Sequence, residues 1–314
     1  MLETDLNKTH HIIYGCMGLG GNWDDSPLQK ENIEEARQAI HAALDCGITS
    51  FDHADIYNIG KAEMAFGEIL KDNPGLRELI KIQTKAGISL GSDGINTYNS
   101  SKEYFIRQIE KSLKNLKTDY LDTFLIHRPD PLMDVEEIAE TFDYLKSEGI
   151  VKRFGVSNMS ASQIQLLQYY CDMPISANQI QFSLKHSALI EEGMIYNITK
   201  YTQNGVGDFL PFSKIHNIEI QAWGALDNGL YLNKNEVEDV NAVKRLLKKL
   251  SEKYDTNPAA ILIAWILRLP YPIKPVIGTT KPERIKRCAE AANVQLNRED
   301  WYQLYITARA ESLP

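Results

Sequence analysis

Four side chains able to hold or move a proton sit close behind short β-rich runs. They are Asp52 and Tyr57 in Phe51-Asp52-His53-Ala54-Asp55-Ile56-Tyr57, Lys85 in Gln83-Thr84-Lys85, and His127 in Ile126-His127-Arg128-Pro129. A free tyrosine has a pKa of about 10 and is a weak acid at neutral pH. A lysine ammonium about 4 Å away, at an effective dielectric near 20, attracts the phenolate by roughly 4 kcal/mol. That attraction predicts a phenol pKa lowered by up to about 3, at about 1.4 kcal/mol for each unit. Such a tyrosine is a competent general acid for a developing alkoxide. The lysine needs a counter-charge to stay protonated in an enclosed site, and Asp52 supplies one. His127 can hold a carbonyl oxygen by a hydrogen bond. Taken singly, each has a plainer explanation: a structural ion pair, a rim tyrosine, a strand-end histidine. Their grouping on three successive strand ends favours the chemical reading. The competing arrangement is a metal site drawn from His53, Asp55 and His127. Neither an HxH after the first strand nor a later strand ending in a lone His or an Asp pair accompanies it, so no metal is expected.

The elements that must carry these residues alternate. Strand-like runs cover 12–14, 49–51, 80–83, 121–126, 152–156, 177–180, 218–222 and 275–277. Amphipathic helical stretches cover 32–44, 104–116, 135–145, 161–169, 240–254, 258–267 and 282–291. Strands alternating with helices imply a mostly parallel α/β sheet with crossovers, either closed or doubly wound. The open form usually announces itself by GxGxxG running from its first strand into a helix. Here Gly15-Cys16-Met17-Gly18-Leu19-Gly20-Gly21 does not match that pattern. Eight units favour a single (β/α)8 TIM barrel spanning 1–314 as one domain. In such a barrel the functional side chains lie at the C-terminal strand ends, which is where the polar residues above fall.

The composition narrows the function classes. The chain has 314 residues, 34 Lys+Arg against 42 Asp+Glu, and a net charge of −8 with no basic run, so nucleic acid is not an expected partner. Cys16, Cys46, Cys171 and Cys288 lack knuckle or CxxC spacing and read as reduced thiols of a cytoplasmic protein. The first fifteen residues carry no apolar run, which argues against a signal peptide, and the longest apolar stretch, 259–267, is too short to span a bilayer.

Taken in order and spacing, FDHADIY, TK, LDTFLIHRPDP, GVSN, NQIQFS and an aromatic on strand seven resemble the aldo-keto reductase family over Gly15 to Arg284. The DHADIY and LIHRPDPLMD segments are most similar to little-characterised bacterial members. The resemblance implies a (β/α)8 barrel and an NADPH-dependent oxidoreductase reducing an aldehyde or ketone. It places the catalytic tetrad on Asp52, Tyr57, Lys85 and His127. It places nicotinamide carboxamide contacts on Ser157, Asn158 and Gln179, and the ring-stacking aromatic on Trp223. Gly15, Cys16, Met17, Asp52, Gly224 and Leu226 join the cofactor-binding set. The phosphates fall on Gly278, Thr279, Thr280 and Arg284, with Thr279 and Arg284 matched to the adenosine 2′-phosphate.

The residues themselves fit that last placement. Thr280-x-x-Glu283 with Pro282 reads as a helix cap, and the free N–H groups and Arg284 of the first turn make an anion site. Many family members carry Lys or Arg where this chain has Gly278, and Lys281 is the available replacement. Arg287-Cys288 stands where a Glu-Asn pair often meets the adenine, and Gly15-Cys16-Met17 replaces a common Gly-Thr-Met. Despite these departures the resemblance still implies NADPH ahead of NADH. Trp23, Tyr57, His127 and Trp223 are expected to line a pocket for a small carbonyl substrate, shaped by loops 88–101, 201–216 and 226–235. The family also contains non-catalytic, cofactor-binding regulatory subunits, so a redox sensor on the same barrel is the alternative. The motifs name neither the physiological substrate nor its direction of conversion, nor the oligomeric state.

Overall fold

The computed structural model describes residues 11–91, 94–195, 208–233 and 240–313. Eight short parallel strands pair in sequence order: β1 (Ile13–Gly15), β2 (Ser50–Asp52), β3 (Lys81–Ala86), β4 (Thr123–Ile126), β5 (Phe154–Ser157), β6 (Ile175–Gln181), β7 (Glu219–Trp223) and β8 (Ile273–Ile277). β8 then pairs with β1, Val276 opposite Ile13, and the sheet closes into a barrel. A closed sheet leaves no strand edge unpaired, so every barrel strand can be buried on its outer face by helices.

The longer helices are α1 (Lys30–Asp45), α2 (Lys61–Asp72), α3 (Lys102–Leu116), α4 (Val135–Ser147), α5 (Ala161–Tyr170), α6 (Ala188–Ile195), α7 (Phe209–Ile215), α8 (Asn241–Lys253), α9 (Pro258–Leu267), α10 (Pro282–Ala289) and α11 (Arg298–Arg309). Their starts follow local chemistry. The Asp134 carboxylate accepts from the Glu136 and Glu137 amides, Ser160 and Gln163 form a reciprocal capping box, and Asn257 caps α9 ahead of Pro258. α2 and α3 lie so close that a Cβ on Gly67 would stand 2.0 Å from the Asn115 carbonyl oxygen. Only glycine permits that approach, and it fixes where α2 runs behind the β2 loop.

Most sequence-based elements stand within a few residues of their expected bounds. Four of these helices were not expected from the sequence pattern: α2, α6, α7 and α11. α2 escapes because its buried face includes Glu63, a residue type that reads as exposed. α11 is docked by a stacked pair, Trp265 and Trp301, with ring centroids 5.0 Å apart. Each indole N–H donates to the other's backbone carbonyl, at 3.2 and 2.9 Å. Among the described residues no helix is long and apolar enough to cross a membrane. Cys16, Cys171 and Cys288 are buried, Cys46 is half-buried, and all four are free thiols.

Candidate active site

Asp52 ends β2 and Lys85 lies on β3, with Asp52 in register with Gln83. Inward-facing residues on a strand recur every second position, so Gln83 and Lys85 share the barrel interior. Lys85 Nζ donates to both carboxylate oxygens of Asp52 at 2.7 Å and to the His53 carbonyl at 2.8 Å. Asp52 Oδ1 also accepts from Gln83 Nε2 at 2.6 Å and Gln179 Nε2 at 3.0 Å. The same two amides donate to Gln221 Oε1 at 2.7 and 3.0 Å. Gln221 Nε2 returns a bond to Gln83 Oε1 and reaches Glu219, which pairs with Lys274 at 2.6 Å. Every buried charge in this column therefore has partners, as burial requires. Burial works against the Lys85 ammonium, but Asp52 and Tyr57 outweigh it and hold its pKa above the ordinary lysine value.

Tyr57 opens a tight turn, Tyr57–Gly60, in which Asn58 and Ile59 adopt φ of 48° and 59°. A β-branched residue in the left-handed region is strained, and here the strain accompanies a side chain aimed at the barrel mouth. The turn is tied down by Asn58, whose side-chain amide donates to the Met17 and Leu19 carbonyls at 3.1 and 2.6 Å. Lys85 Nζ lies 4.9 Å from the centre of the Tyr57 ring. His127 directly follows β4 and faces Tyr57 edge-on, with centroids 6.1 Å apart.

The expected lowering of the tyrosine pKa is corrected here. Burial raises it, and the opposing attraction of Lys85 does not fully compensate, so the net direction is upward. The phenol thus keeps its proton at neutral pH. Burial, then the positive charges of Lys85 and Arg128, hold His127 well below the usual histidine range, so its imidazole is neutral. Its Nδ1 is buried without a hydrogen-bond partner among the described residues.

His53 and Asp55 lie on the same loop but turn into the wall. His53 is fully buried edge-on against Phe66, and burial, aided by Lys85, lowers its pKa to about 3. Burial and the nearby Glu63 raise Asp55 to about 7. Among the described residues no three His, Cys, Asp or Glu side chains gather where they could hold a metal ion.

The neighbouring strand ends form a polar rim. Trp223 Nε1 donates to Asn158 Oδ1 at 3.1 Å, Asn158 Nδ2 donates to Ser157 Oγ at 2.7 Å, and Ser157 Oγ donates to the Gln179 carbonyl at 2.8 Å. Asn158 holds φ of 58°, a conformation that asparagine tolerates better than most residues. The Arg128 guanidinium stands 5.8 Å over the Trp223 ring. Gly224, at φ of 69°, turns the chain after β7, and Leu226 follows, packed on the core. Gly15 closes β1 against Val276, and Cys16 is buried beside Asp52 while Met17 is exposed. Burial first, then the Asp52 charge, push the Cys16 thiol well above its usual range.

At the end of β8, the Tyr14 hydroxyl donates to the Thr279 carbonyl at 3.1 Å. A side chain at 278 would stand in open space. The expected cap is corrected: Lys281, not Thr280, precedes the first helical residue of α10, and no side chain caps the helix. Thr280 Oγ1 instead donates to Glu35 at 3.0 Å. Lys281 Nζ also bonds Glu35 at 3.0 Å, so the expected replacement cation is already paired. Arg284 is exposed in the first turn. Trp23 is half exposed on the loop after β1 and packs on no other aromatic ring among the described residues. Of the pocket loops expected from the sequence, 92–93, 201–207 and 234–235 lie outside the described residues. Sequence reasoning missed Asn58, Gln83 and Gln221. For the two glutamines a signal existed, since each stands two positions before an expected site residue.

Comparisons with known proteins bear on the family and the fold. The sequence profile described as "Aldo/keto reductase family" matches residues 11–307. The chain is 34% identical over 279 residues to "Oxidoreductase YdhF" of Escherichia coli, covering 88% of each. It is 32% identical over 310 residues to a "6-dehydroglucose reductase" of Agrobacterium fabrum, covering 97% of this chain and 96% of the relative. Its fold is similar, at a TM-score of 0.72 and 23% identity, to an aldo/keto reductase from Klebsiella pneumoniae solved in complex with NADP and acetate, covering 94% of this chain and 89% of that one.

Proposed function

The chain belongs to the aldo/keto reductase family, and from that premise we propose that it reduces an aldehyde or ketone to the alcohol with NADPH, Tyr57 acting as general acid. The observation that carries the reading is the buried Asp52–Lys85 pair, with Lys85 Nζ 4.9 Å from the Tyr57 ring and a neutral His127 across the mouth.

NADPH, when bound, supplies the hydride. Tyr57 holds its proton at neutral pH and gives it to the carbonyl oxygen as negative charge develops there. The phenolate left behind faces the Lys85 ammonium, whose charge Asp52 sustains. His127, being neutral, donates one hydrogen bond to the same oxygen without competing for the proton, and so helps carry its developing charge.

The residues present fit the cofactor. The linked chain Trp223–Asn158–Ser157–Gln179 offers a flat aromatic face beside amide and hydroxyl groups, suited to a nicotinamide ring and its carboxamide. Gly15, Cys16, Met17, Gly224 and Leu226 would form the walls. Gly278, Thr279, Thr280 and Arg284 surround the start of α10, where the helix dipole and the exposed Arg284 favour phosphate. The Klebsiella structure, with its NADP, supports the same choice. We treat the barrel as one functional domain, with Trp23 a rim residue of the substrate pocket.

The test is NADPH consumption against a panel of aromatic aldehydes and diketones, with NADH run in parallel. Turnover above the cofactor-only background is the expected result. Tight NADPH binding without turnover of any carbonyl would overturn the enzymatic reading in favour of a regulatory subunit.

A further inference from the structure

Glu35 lies on the face of α1 that packs against α10, and its carboxylate reaches across to the corner after β8. One oxygen, Oε1, accepts from both Thr280 Oγ1 and Lys281 Nζ, each at 3.0 Å. The Lys281 contact, opposed by partial burial and helped by Thr280, holds the Glu35 carboxyl below the ordinary glutamate range. The groove beside this contact is lined by Lys30, Glu31, Glu34, Glu35, Gln38 and Lys281. Of the acids in that groove Glu35 is the one in contact with Lys281, while Glu34 pairs with Arg37.

We propose that Glu35 sets the cofactor preference of this chain: its carboxylate engages Lys281 and Thr280, weakens the grip of the corner on an adenosine 2′-phosphate, and leaves a plain ribose 2′-hydroxyl comparatively favoured. The proposal rests on the reading of residues 278–284 as the adenosine end of the cofactor site. A phosphate monoester carries about −1.5 to −2 charges at pH 7. It must either share Lys281 with Glu35 or displace it. A ribose hydroxyl meets no such competition, because it can donate a hydrogen bond to a carboxylate. One unit charge at contact distance in water-like surroundings is worth about fivefold in affinity, and a charge of about −1.5 to −2 raises that to at least about tenfold.

The test is direct binding of NADPH and NADH, without substrate, followed by quenching of intrinsic tryptophan fluorescence. Wild type, Glu35→Gln, Lys281→Ala and the double variant are compared. Glu35 is on a part-exposed helix edge, and Gln matches Glu in helix propensity, so the fold is not at stake. The expected result is that Glu35→Gln raises the preference for NADPH over NADH by about tenfold. Lys281→Ala changes the preference less than about twofold in wild type but cancels most of the gain in the Glu35→Gln background, a coupling that a double-mutant cycle reads directly. A preference unmoved or lowered by Glu35→Gln overturns the inference while leaving the cofactor reading intact. A wild type that binds neither dinucleotide overturns both.

Discussion

Replacing Asp52 with asparagine keeps the shape of the side chain and removes the only carboxylate that touches Lys85 among the described residues. The lysine is 1% exposed and would retain the His53 carbonyl, the Tyr57 hydroxyl and the amide oxygen of the substituted side chain as acceptors, none of them charged. An uncompensated ion in such a place costs about 3–5 kcal/mol. Shedding the proton is the alternative, and from an unfolded-state pKa of about 10.4 that costs about 4.6 kcal/mol at pH 7. The two routes agree, so Asp52→Asn is expected to cost about 3–5 kcal/mol.

Lys85→Met leaves Asp52 with two amide donors, Gln83 and Gln179. Protonating that carboxyl at pH 7 from an unfolded-state pKa of about 3.9 costs about 4.2 kcal/mol, so this variant should lose a similar amount, about 3–5 kcal/mol. The double variant, with neither charge, should be more stable than Asp52→Asn alone. Urea unfolding of the three variants at pH 7 provides the measurement. The sign with pH is also fixed. In wild type the Lys85 pKa is raised, so its contribution is full below about pH 10.4 and is lost above the folded value. In Asp52→Asn the lysine pKa falls, the folded state binds fewer protons than the unfolded one, and the deficit shrinks by about 1.4 kcal/mol per pH unit as pH rises from 7. A loss below about 1 kcal/mol in either single variant would refute the account of the pair.

Two further perturbations test the frame around the site. His53 has a folded pKa of about 3, far below its unfolded value, so stability is lost as pH falls below about 6.5. His53→Leu should therefore gain about 2 kcal/mol on wild type between pH 7 and pH 5, measured by urea unfolding at both, and an equal difference at the two pH values would count against burial of the neutral ring. Gly67→Ala places a methyl 2.0 Å from the Asn115 carbonyl and must force α2 and α3 apart. It should cost about 2–3 kcal/mol and lower the melting temperature, whereas a neutral outcome would contradict the close helix contact.

The barrel was legible because its alternation is written in apolar periodicity, and the expected strands fall where the sheet places them. The candidate site residues were legible as polar types at strand ends, yet their energetics were not. The upward direction of the Tyr57 pKa depends on how deeply the phenol is enclosed, which spacing does not encode. Gln83 and Gln221 read as polar alternation along two strands, and only barrel closure brings these residues, 138 positions apart, into one hydrogen-bonded pair. Lys281 looked free to meet a phosphate because Glu35, 246 positions earlier, is brought to it by helix packing alone. Motifs thus report candidate groups, while tertiary closure decides their charge state and their partners.

The most direct test of the central claim is Tyr57→Phe. The change removes one hydroxyl and leaves the ring, its place over Lys85 and the edge contact with His127. Steady-state reduction of a carbonyl that wild type turns over should fall by about 100-fold or more, the usual worth of a general acid, while NADPH affinity by fluorescence quenching changes less than about twofold. Near-normal turnover in Tyr57→Phe would show that the proton comes from elsewhere and would contradict the account.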